Sequence, residues 1–496
     1  METTIAQAGR RIRLTPVCTR PAIIGCLTAV LAATFVVWLW EGLFGASLGL
    51  AQIFGGALAA LLVLPVATAA LRDPALLAEP IHVFLVGCVY FLVLDMATLR
   101  DVEEFPPLSI LLGETAFVVF LVPALALWLL VKARRSPLTP ILRWGAGTIS
   151  ANTLFWMAFA VFSLEVFKRF ALVGWSVSQF WYLLLQSRAG GVEGDAMHFG
   201  VNGDWRVILQ PIGVVFPATL FLADRAWKKG VRPLKKTVLL LISIAQLGIL
   251  VLDGARSLVV MSLVLPFLAR ALERDPSIRR WLWGIVAGSF LLAPLFDTMV
   301  QVRASGWSNM DRVDKVAWNA AEAHRDDNFH WVVNIVDVLR SRGPLLQQDH
   351  QGPLGFIDGL AEEGGSFAIS LIPRIFWPEK PMAIDNGDDL RSWNVTTSIV
   401  GDLLRMGGIS FLLVGGLLFG LGVRILEPIY WTRMRGEGEL LGYALLMYLL
   451  LHEVRGIMAY HVWGFVFLIL MGGFRAQRWM AEHFGSKRRS RQLSVG

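Results

Sequence analysis

The sequence has few charged residues and almost no cysteine. Asp, Glu, Lys and Arg make up 17% of the 496 residues, against 55% hydrophobic residues, which is too little polar surface to enclose a soluble core of this length. The three cysteines show no CxxC or Cys/His spacing, so the sequence supports neither a disulfide framework nor a zinc site. With a mean hydropathy of +0.58, the composition is that of a membrane protein.

Long apolar runs recur along almost the whole chain. Each is long enough to cross a hydrocarbon layer as a helix, which takes about 20 residues. We therefore predict an all-α, polytopic integral membrane protein with about twelve transmembrane helices. The predicted spans are 22–40, 46–70, 80–99, 107–131, 148–165, 208–224, 237–252, 257–272, 281–300, 407–426, 439–452 and 456–474.

The basic residues lie mainly in short links between the apolar runs. If the N-terminus is cytoplasmic, the positive-inside rule places these links in the cytoplasm and both termini with them. The net charge of +7 then indicates topology, and we expect no nucleic-acid partner. We interpret residues 166–207 as an interfacial outer helix, because a thirteenth span would invert every later link. The basic links are 132–143, 225–236, 270–280 and 424–435, and the tail is 487–491.

The same topology divides the chain into three regions. Residues 1–300 hold the first nine spans, 301–406 form a large periplasmic loop, and 407–496 hold the last three spans and the basic tail. Most connections between helices need only a few residues, so a loop of this length is usually functional. Its tryptophans and the helix-compatible segment 312–342 predict an ordered cap on the membrane domain.

Ionisable groups collect on the predicted outer side. The guanidinium group offers a rigid fork of donors that matches phosphate oxygens, so converging arginines suit a lipid-linked pyrophosphate. The alternative interpretation is that single arginines snorkel to lipid headgroups, and that Asp253 and Arg256 form a structural pair at a helix end. The group comprises Asp253, Arg256, Arg303, Arg374, Lys380, Arg391, His452, Glu453 and Arg455.

Three other motifs carry less weight. His452-Glu453 begins like the zinc-protease motif HExxH, but Gly456 stands where the second histidine should be. The acidic stretch 385–389 lacks EF-hand spacing and is typical of a solvated turn. We therefore predict no metal and no cofactor. The glycines at 415, 416, 420 and 422 fall within an apolar run, where small residues let helices approach closely.

The C-terminal half resembles a known family. The run SLIPRIFWPEKP (370–381), preceded by DGARS (253–257) and followed by the segment 396–422, is similar to the Wzy-type oligosaccharide repeat-unit polymerases of bacteria. The resemblance implies a GT-C-like membrane glycosyltransferase for surface polysaccharide such as O-antigen, lipopolysaccharide or exopolysaccharide. Its substrate would be an undecaprenyl-pyrophosphate-linked oligosaccharide at the outer leaflet of the inner membrane, with no nucleotide sugar.

The reaction that the resemblance implies would need binding, proton-accepting and stacking groups, and the residues on the outer side are candidates for these roles. Arg256, Arg303 and Arg374 would bind the pyrophosphate, with Lys380, Arg391 and Arg455 as secondary contacts. Glu453, His452 or Asp253 would accept the proton of the attacking sugar hydroxyl, and the residues alone do not choose among them. Sugar faces would stack on Trp377, Phe376 and Trp307, unless these rings form the core of the loop.

Three other functions remain open from the sequence. An O-antigen ligase would use the same donor with a lipid A-core acceptor. A polysaccharide or lipid transporter would need polar groups along a path through the membrane and often has broken helices. A scaffold in an assembly complex would need no active site. Besides the lipid bilayer, the partners implied by the resemblance are a flippase and a chain-length co-polymerase.

Overall fold

A computed structural model describes the chain in segments. They are residues 16–98, 102, 104–132, 135–172, 175–178, 180–181, 215–252, 256–288, 328–341, 398–432, 434, 436–455, 467–468, 470–476 and 479. Helix accounts for 87% of the described residues, and no strand occurs among them. The chain is therefore all-α over the part that the structure describes.

Thirteen α-helices with defined ends occur in these segments, and we number them in chain order. They are α1 (Pro16–Phe44), α2 (Leu48–Arg72), α3 (Pro80–Cys88), α4 (Leu94–Thr98), α5 (Pro107–Leu130), α6 (Thr139–Leu142), α7 (Ala151–Leu172), α8 (Ala218–Lys228), α9 (Pro233–Leu252), α10 (Arg256–Leu272), α11 (Asn328–Ser341), α12 (Ser398–Trp431) and α13 (Glu437–Glu453). A π-helical turn, Val89–Val93, joins α3 to α4, and 3-10 turns cover Pro74–Ala78 and Arg143–Gly145. Residues 278–288 are also helical.

Six helical stretches are long and apolar enough to cross a membrane, and each overlaps a predicted span. They are Thr19–Phe44, Leu48–Arg72, Pro80–Ala97, Pro107–Leu130, Pro233–Leu252 and Gly408–Trp431. A shorter apolar helix, Leu258–Leu272, overlaps another predicted span. Helices α7 and α13 overlap two more and extend beyond them, α7 as far as Leu172. The predicted spans 208–224, 281–300 and 456–474 lie partly outside the described residues.

Large apolar side chains point away from the bundle. Phe35 on α1, Ile53 on α2 and Leu418 on α12 are each more than half exposed. Such contiguous apolar surface is unfavourable in water but is what a lipid-facing helix requires. The outward faces therefore support the membrane class that the composition predicts.

Helices α5 and α12 pack closely and run in the same direction. A Cβ atom at Gly416 would overlap the Phe120 carbonyl, and one at Gly420 would overlap the Ala124 carbonyl. Only glycine lets the two backbones approach this closely. The prediction that these glycines serve packing is confirmed at positions 416 and 420, whereas a Cβ at Gly422 would meet nothing within 4 Å.

The basic links meet at one end of the bundle, which we call the basic end (residues 72–79, 131–150, 225–237, 270–280 and 424–439). The buried Arg225 of α8 donates to Glu437 at the start of α13 (Nε to Oε2, 2.5 Å) and to Glu273 just after α10 (Nη1 to Oε2, 2.6 Å). Lys228 Nζ lies 2.6 Å from both Glu273 Oε2 and Asp275 Oδ2. These ion pairs connect α8, the start of α13 and the residues just after α10.

The charges of the basic end stabilise one another's ionised forms. Burial by itself would raise the pKa of Glu273, but hydrogen bonds from Arg225 and Lys228 outweigh it and lower that pKa. Burial likewise opposes the charge of Lys228, yet Asp275 and Glu273 raise its pKa. The buried part of the basic end is thus an ion-pair network, in which Arg225, Lys228 and Arg270 each contact a carboxylate that compensates for lost hydration.

Candidate functional site

The opposite end of the bundle, which we call the loop end, contains a sharp bend in α12. Gly408 has a φ of +64°, a left-handed conformation that glycine adopts without the steric cost of a Cβ. In a straight helix, residues 403 and 415 would lie about 18 Å apart. Instead, the side chain of Leu403 occupies the space that a Cβ at Gly415 would take. Residues 398–407, which we call the hook, therefore fold back along the start of the span.

The hook rests on the end of α13. The backbone N–H of Ile399 donates to the carbonyl of Val454 over 3.1 Å. The Ser398 hydroxyl accepts from the N–H of Gly401 at 3.3 Å and caps the first turn. The hook, which comes just before the span Gly408–Trp431, is thereby held against the residues that follow α13.

Two carboxyl groups come together where the hook meets α13. Asp402 is buried in the hook, and Glu453 is the last residue of α13, beyond the predicted span 439–452. Burial, reinforced by the charge of Asp402, raises the pKa of Glu453 to about 8. A carboxyl group with a pKa near neutrality is able to accept a proton and to return it under physiological conditions.

His452 is enclosed by aromatic rings. It is 2% exposed, and its ring lies 4.3 Å from that of Tyr448 and 5.4 Å from that of Phe91, measured between centroids. Phe91 belongs to the π-helical turn, a feature that often marks functional positions in helices. A sugar hydroxyl could not reach so enclosed a ring, whereas Glu453 is partly exposed, so Glu453 is the better-placed proton acceptor of the two.

Helix α11 closes the loop end from the side of the large loop. The Ser109 hydroxyl of α5 donates to Asp337 Oδ1 at 2.6 Å and accepts from Arg340 Nη1 at 3.2 Å. A Cβ at Gly113 would lie 3.2 Å from the Val333 side chain, so the helices meet at close range. The prediction of helix in the segment 312–342 is confirmed for residues 328–341.

The apolar face of α11 is part of the protein core. Phe329, Val332 and Val333 have no exposed surface, and Val336 has almost none. They belong to the same hydrophobic cluster as α5 and α12. This part of the loop is therefore an integral element of the fold, which is what a cap on the membrane domain requires.

The structure describes four of the predicted site residues. His452, Glu453 and Arg455 follow one another at the end of α13, and Arg256 is the first residue of α10, which packs against α13. The other predicted residues lie outside the described segments. They are Asp253, Arg303, Arg374, Lys380, Arg391, Trp307, Phe376 and Trp377.

Sequence reasoning missed Asp402. It lies within the segment that carries the family resemblance, and it is an acidic residue at the edge of an apolar run. That position was a usable signal, since ionisable residues at membrane depth are costly and usually functional. Among the described residues, no three His, Cys, Asp or Glu side chains form a group that could hold a metal ion.

No protein-family model matches the chain, and neither a curated protein nor a solved structure matches it. The functional assignment therefore depends on the sequence pattern and on the geometry of the loop end.

Proposed function

We propose that the protein is a polymerase of undecaprenyl-pyrophosphate-linked oligosaccharide repeat units. It acts as a GT-C-like membrane glycosyltransferase with about twelve spans. In this proposal the basic end faces the bacterial cytoplasm together with both termini, and the loop end faces the periplasm, as the positive-inside rule favours. The product is a surface polysaccharide, and a flippase and a chain-length co-polymerase are the expected partners.

The observation that carries the proposal is the juxtaposition of Glu453 and the hook. The hook is the end of the large loop whose motif resembles the polymerase family, and burial of Glu453, together with the charge of Asp402, keeps Glu453 protonatable near neutral pH. A glycosyl transfer at this end needs such a group, because the attacking sugar hydroxyl must lose a proton as it forms the new bond. Glu453 is thus the proposed general base.

The remaining predicted residues would stabilise the leaving group of the reaction. A hydroxyl of the incoming lipid-linked repeat attacks the anomeric carbon of the growing glycan, and the bond from that carbon to the pyrophosphate oxygen breaks. The hydroxyl proton passes to the Glu453 carboxylate, and the electron pair of the broken bond stays on the pyrophosphate. Arg256, Arg303 and Arg374 would stabilise the charge that develops there.

The test is polysaccharide banding from cells that lack the gene and are complemented with variants at matched membrane abundance. Glu453→Gln, Arg256→Ala and Arg374→Ala are expected to lose the ladder and to accumulate single lipid-linked repeats. Arg232→Ala is the matched control, because Arg232 is an exposed cation of the basic end. If all three variants restored full-length polymer, both the polymerase proposal and its arginine mechanism would be wrong.

Reconstitution separates the polymerase from an O-antigen ligase. Purified protein with only the lipid-linked repeat is expected to produce a ladder of chain lengths. A ligase would give no ladder and would transfer glycan only after a lipid A-core acceptor is added. Acceptor dependence therefore decides between the two.

A transporter of lipid-linked saccharide is the second candidate, and two observations favour it. The bend of α12 at Gly408 and the buried acid Glu114 within the span Pro107–Leu130 are features that transporters share. A transporter would move the labelled lipid-linked repeat across sealed vesicles without lengthening it. Translocation without chain growth would therefore replace the polymerase proposal.

A further inference from the structure

Glu114 is a buried acid within a candidate membrane span. It lies on α5 with no exposed surface. Its two carboxyl oxygens have no hydrogen-bond partner among the residues that the structure describes. An ionised carboxylate in such surroundings would cost many kcal/mol unless a cation compensated for it.

One turn of α5 joins four other elements around this acid. Gly113 contacts Phe329 and Val333 of α11, and the Thr115 hydroxyl accepts from Trp38 Nε1 of α1 at 3.0 Å. Between them, Glu114 faces α2 and α4. Glu114 therefore lies where the first two spans, the third span and the loop helix meet.

The carboxyl group shares a small space with a backbone carbonyl. A Cβ at Gly55 of α2 would lie 2.8 Å from Glu114 Oε1 and 2.5 Å from the Met96 carbonyl oxygen. Because position 55 is glycine, both oxygens face the same gap. The backbone amide of Gly55 interacts with the Glu114 carboxyl group but, within α2, also has a carbonyl partner one turn back, whereas Met96 lies in the last turn of α4, where carbonyls are not all used within the helix.

Two oxygens that border the same gap repel each other when the carboxyl group is ionised, unless a proton or a cation lies between them. Among the described residues, no basic side chain forms an ion pair with Glu114. A protonated carboxyl group would donate to the Met96 carbonyl and remove both the charge and the repulsion. The acidic, basic and histidine residues on the helices packed around α5 are Arg20, Glu41, Arg72, Asp95, His330, Asp337, Arg340, Asp402, Arg405, Arg424 and Glu427.

We propose that Glu114 is a proton-binding site that couples the packing of α2 and α4 to the loop helix α11. With the proton bound, the Glu114 hydroxyl donates to the carbonyl of Met96 and draws α4 towards α5. When the proton is lost, the carboxylate and the carbonyl repel, and the turn of α5 that touches α11 must shift. This inference holds for a glycosyltransferase and for a transporter, and it does not depend on the proposed function.

Infrared spectroscopy of the purified full-length protein in lipid nanodiscs tests the proposal. At about pH 10, where an ordinary glutamate is ionised and Glu453, whose pKa is raised to about 8, is ionised as well, the wild type is expected to show the carbonyl stretch of a protonated carboxylic acid. Glu114→Gln should lose this band and keep a thermal unfolding temperature close to that of the wild type, because Gln is also a neutral donor of similar shape. The control Glu104→Gln removes an exposed carboxylate and should leave the band unchanged.

Three results would overturn the proposal. Loss of a carboxylate band in Glu114→Gln, instead of the protonated one, would show that the group is ionised. Failure of Glu114→Gln to fold, with Glu104→Gln intact, would show that a neutral donor does not replace it. Loss of the wild-type protonated band when sodium replaces a bulky organic cation at constant ionic strength would assign the site to a metal cation.

Discussion

The basic end and the loop end of the bundle differ in how their charged residues are arranged. At the basic end, opposite charges are in direct contact, as in the 2.5 Å pair of Arg225 and Glu437. At the loop end, two carboxyl groups of like charge, the buried Asp402 and the half-buried Glu453, influence each other. Paired charges stabilise one arrangement of helices, whereas a like charge raises the pKa of its neighbour, so that the carboxyl group binds and releases a proton near neutral pH. The first pattern is structural, and the second is typical of a site that exchanges protons.

The largest expected effect is a loss of activity from a substitution at the loop end. Glu453→Gln keeps the shape of the side chain but cannot accept a proton, so the rate of chain extension should fall by about 100-fold to about 10,000-fold. The measurement is repeat-unit incorporation by the reconstituted protein, with thermal unfolding in parallel. A variant that retained more than half of the wild-type rate would remove Glu453 from the mechanism.

The next largest effect is a loss of stability from a substitution at the basic end. Arg225→Ala leaves the buried Glu437 without its guanidinium partner and with only Lys229, at 2.7 Å, beside it. Breaking a buried pair costs about 3–5 kcal/mol when the remaining charge is uncompensated, so that range is the upper limit here. We expect a marked loss of thermal stability in detergent. Arg232→Ala removes an exposed cation of the same link and should change stability by no more than about 0.5 kcal/mol. Equal stabilities for the two variants would show that the network does not clamp the helices.

A smaller loss of stability is expected from a substitution where α12 packs against α5, between the basic end and the loop end. Gly420→Val would force a side chain against the backbone of α5 at Ala124, and overpacking of this kind costs about 1–3 kcal/mol. Gly422→Val, two residues further along the same helix, meets open space and serves as the control. Thermal unfolding of both variants measures the difference, and a larger loss in Gly422→Val would contradict the packing described here.

The smallest expected effect is a change in pH dependence. Activity that needs the Glu453 carboxylate should rise with pH through about 8. Since the pKa of Glu453 is raised in the folded protein, its contribution to stability should be present at lower pH and be lost as the pH rises through that value. Asp402→Asn removes the like charge, so it should move the ascending limb of the rate profile to lower pH by up to about one unit. A limb that stays in place or moves to higher pH would show that Asp402 does not influence Glu453.

Much of the architecture follows from the sequence because lipid constrains helices strongly. A helix that crosses hydrocarbon must be apolar over about 20 residues, so runs such as 107–131 predict the helix Pro107–Leu130 without any tertiary information. The glycines at 416 and 420 likewise predict close packing, because an apolar helix gains nothing from glycine except proximity. Glu453 stands out for a similar reason, as an acid at the edge of an apolar run.

Only the tertiary structure decided how these elements meet. The bend at Gly408 has no unique sequence signal, since many glycines occur in apolar runs, and it depends on Leu403 packing against Gly415. Asp402 and Glu453 lie on separate helices, as do Glu114 and Met96. A hydropathy pattern does not predict which residues of separate helices become neighbours. The sequence by itself determined which segments avoid water, because that is a property of each side chain. The structure decided which buried charges become neighbours, because that depends on the packing of the whole chain.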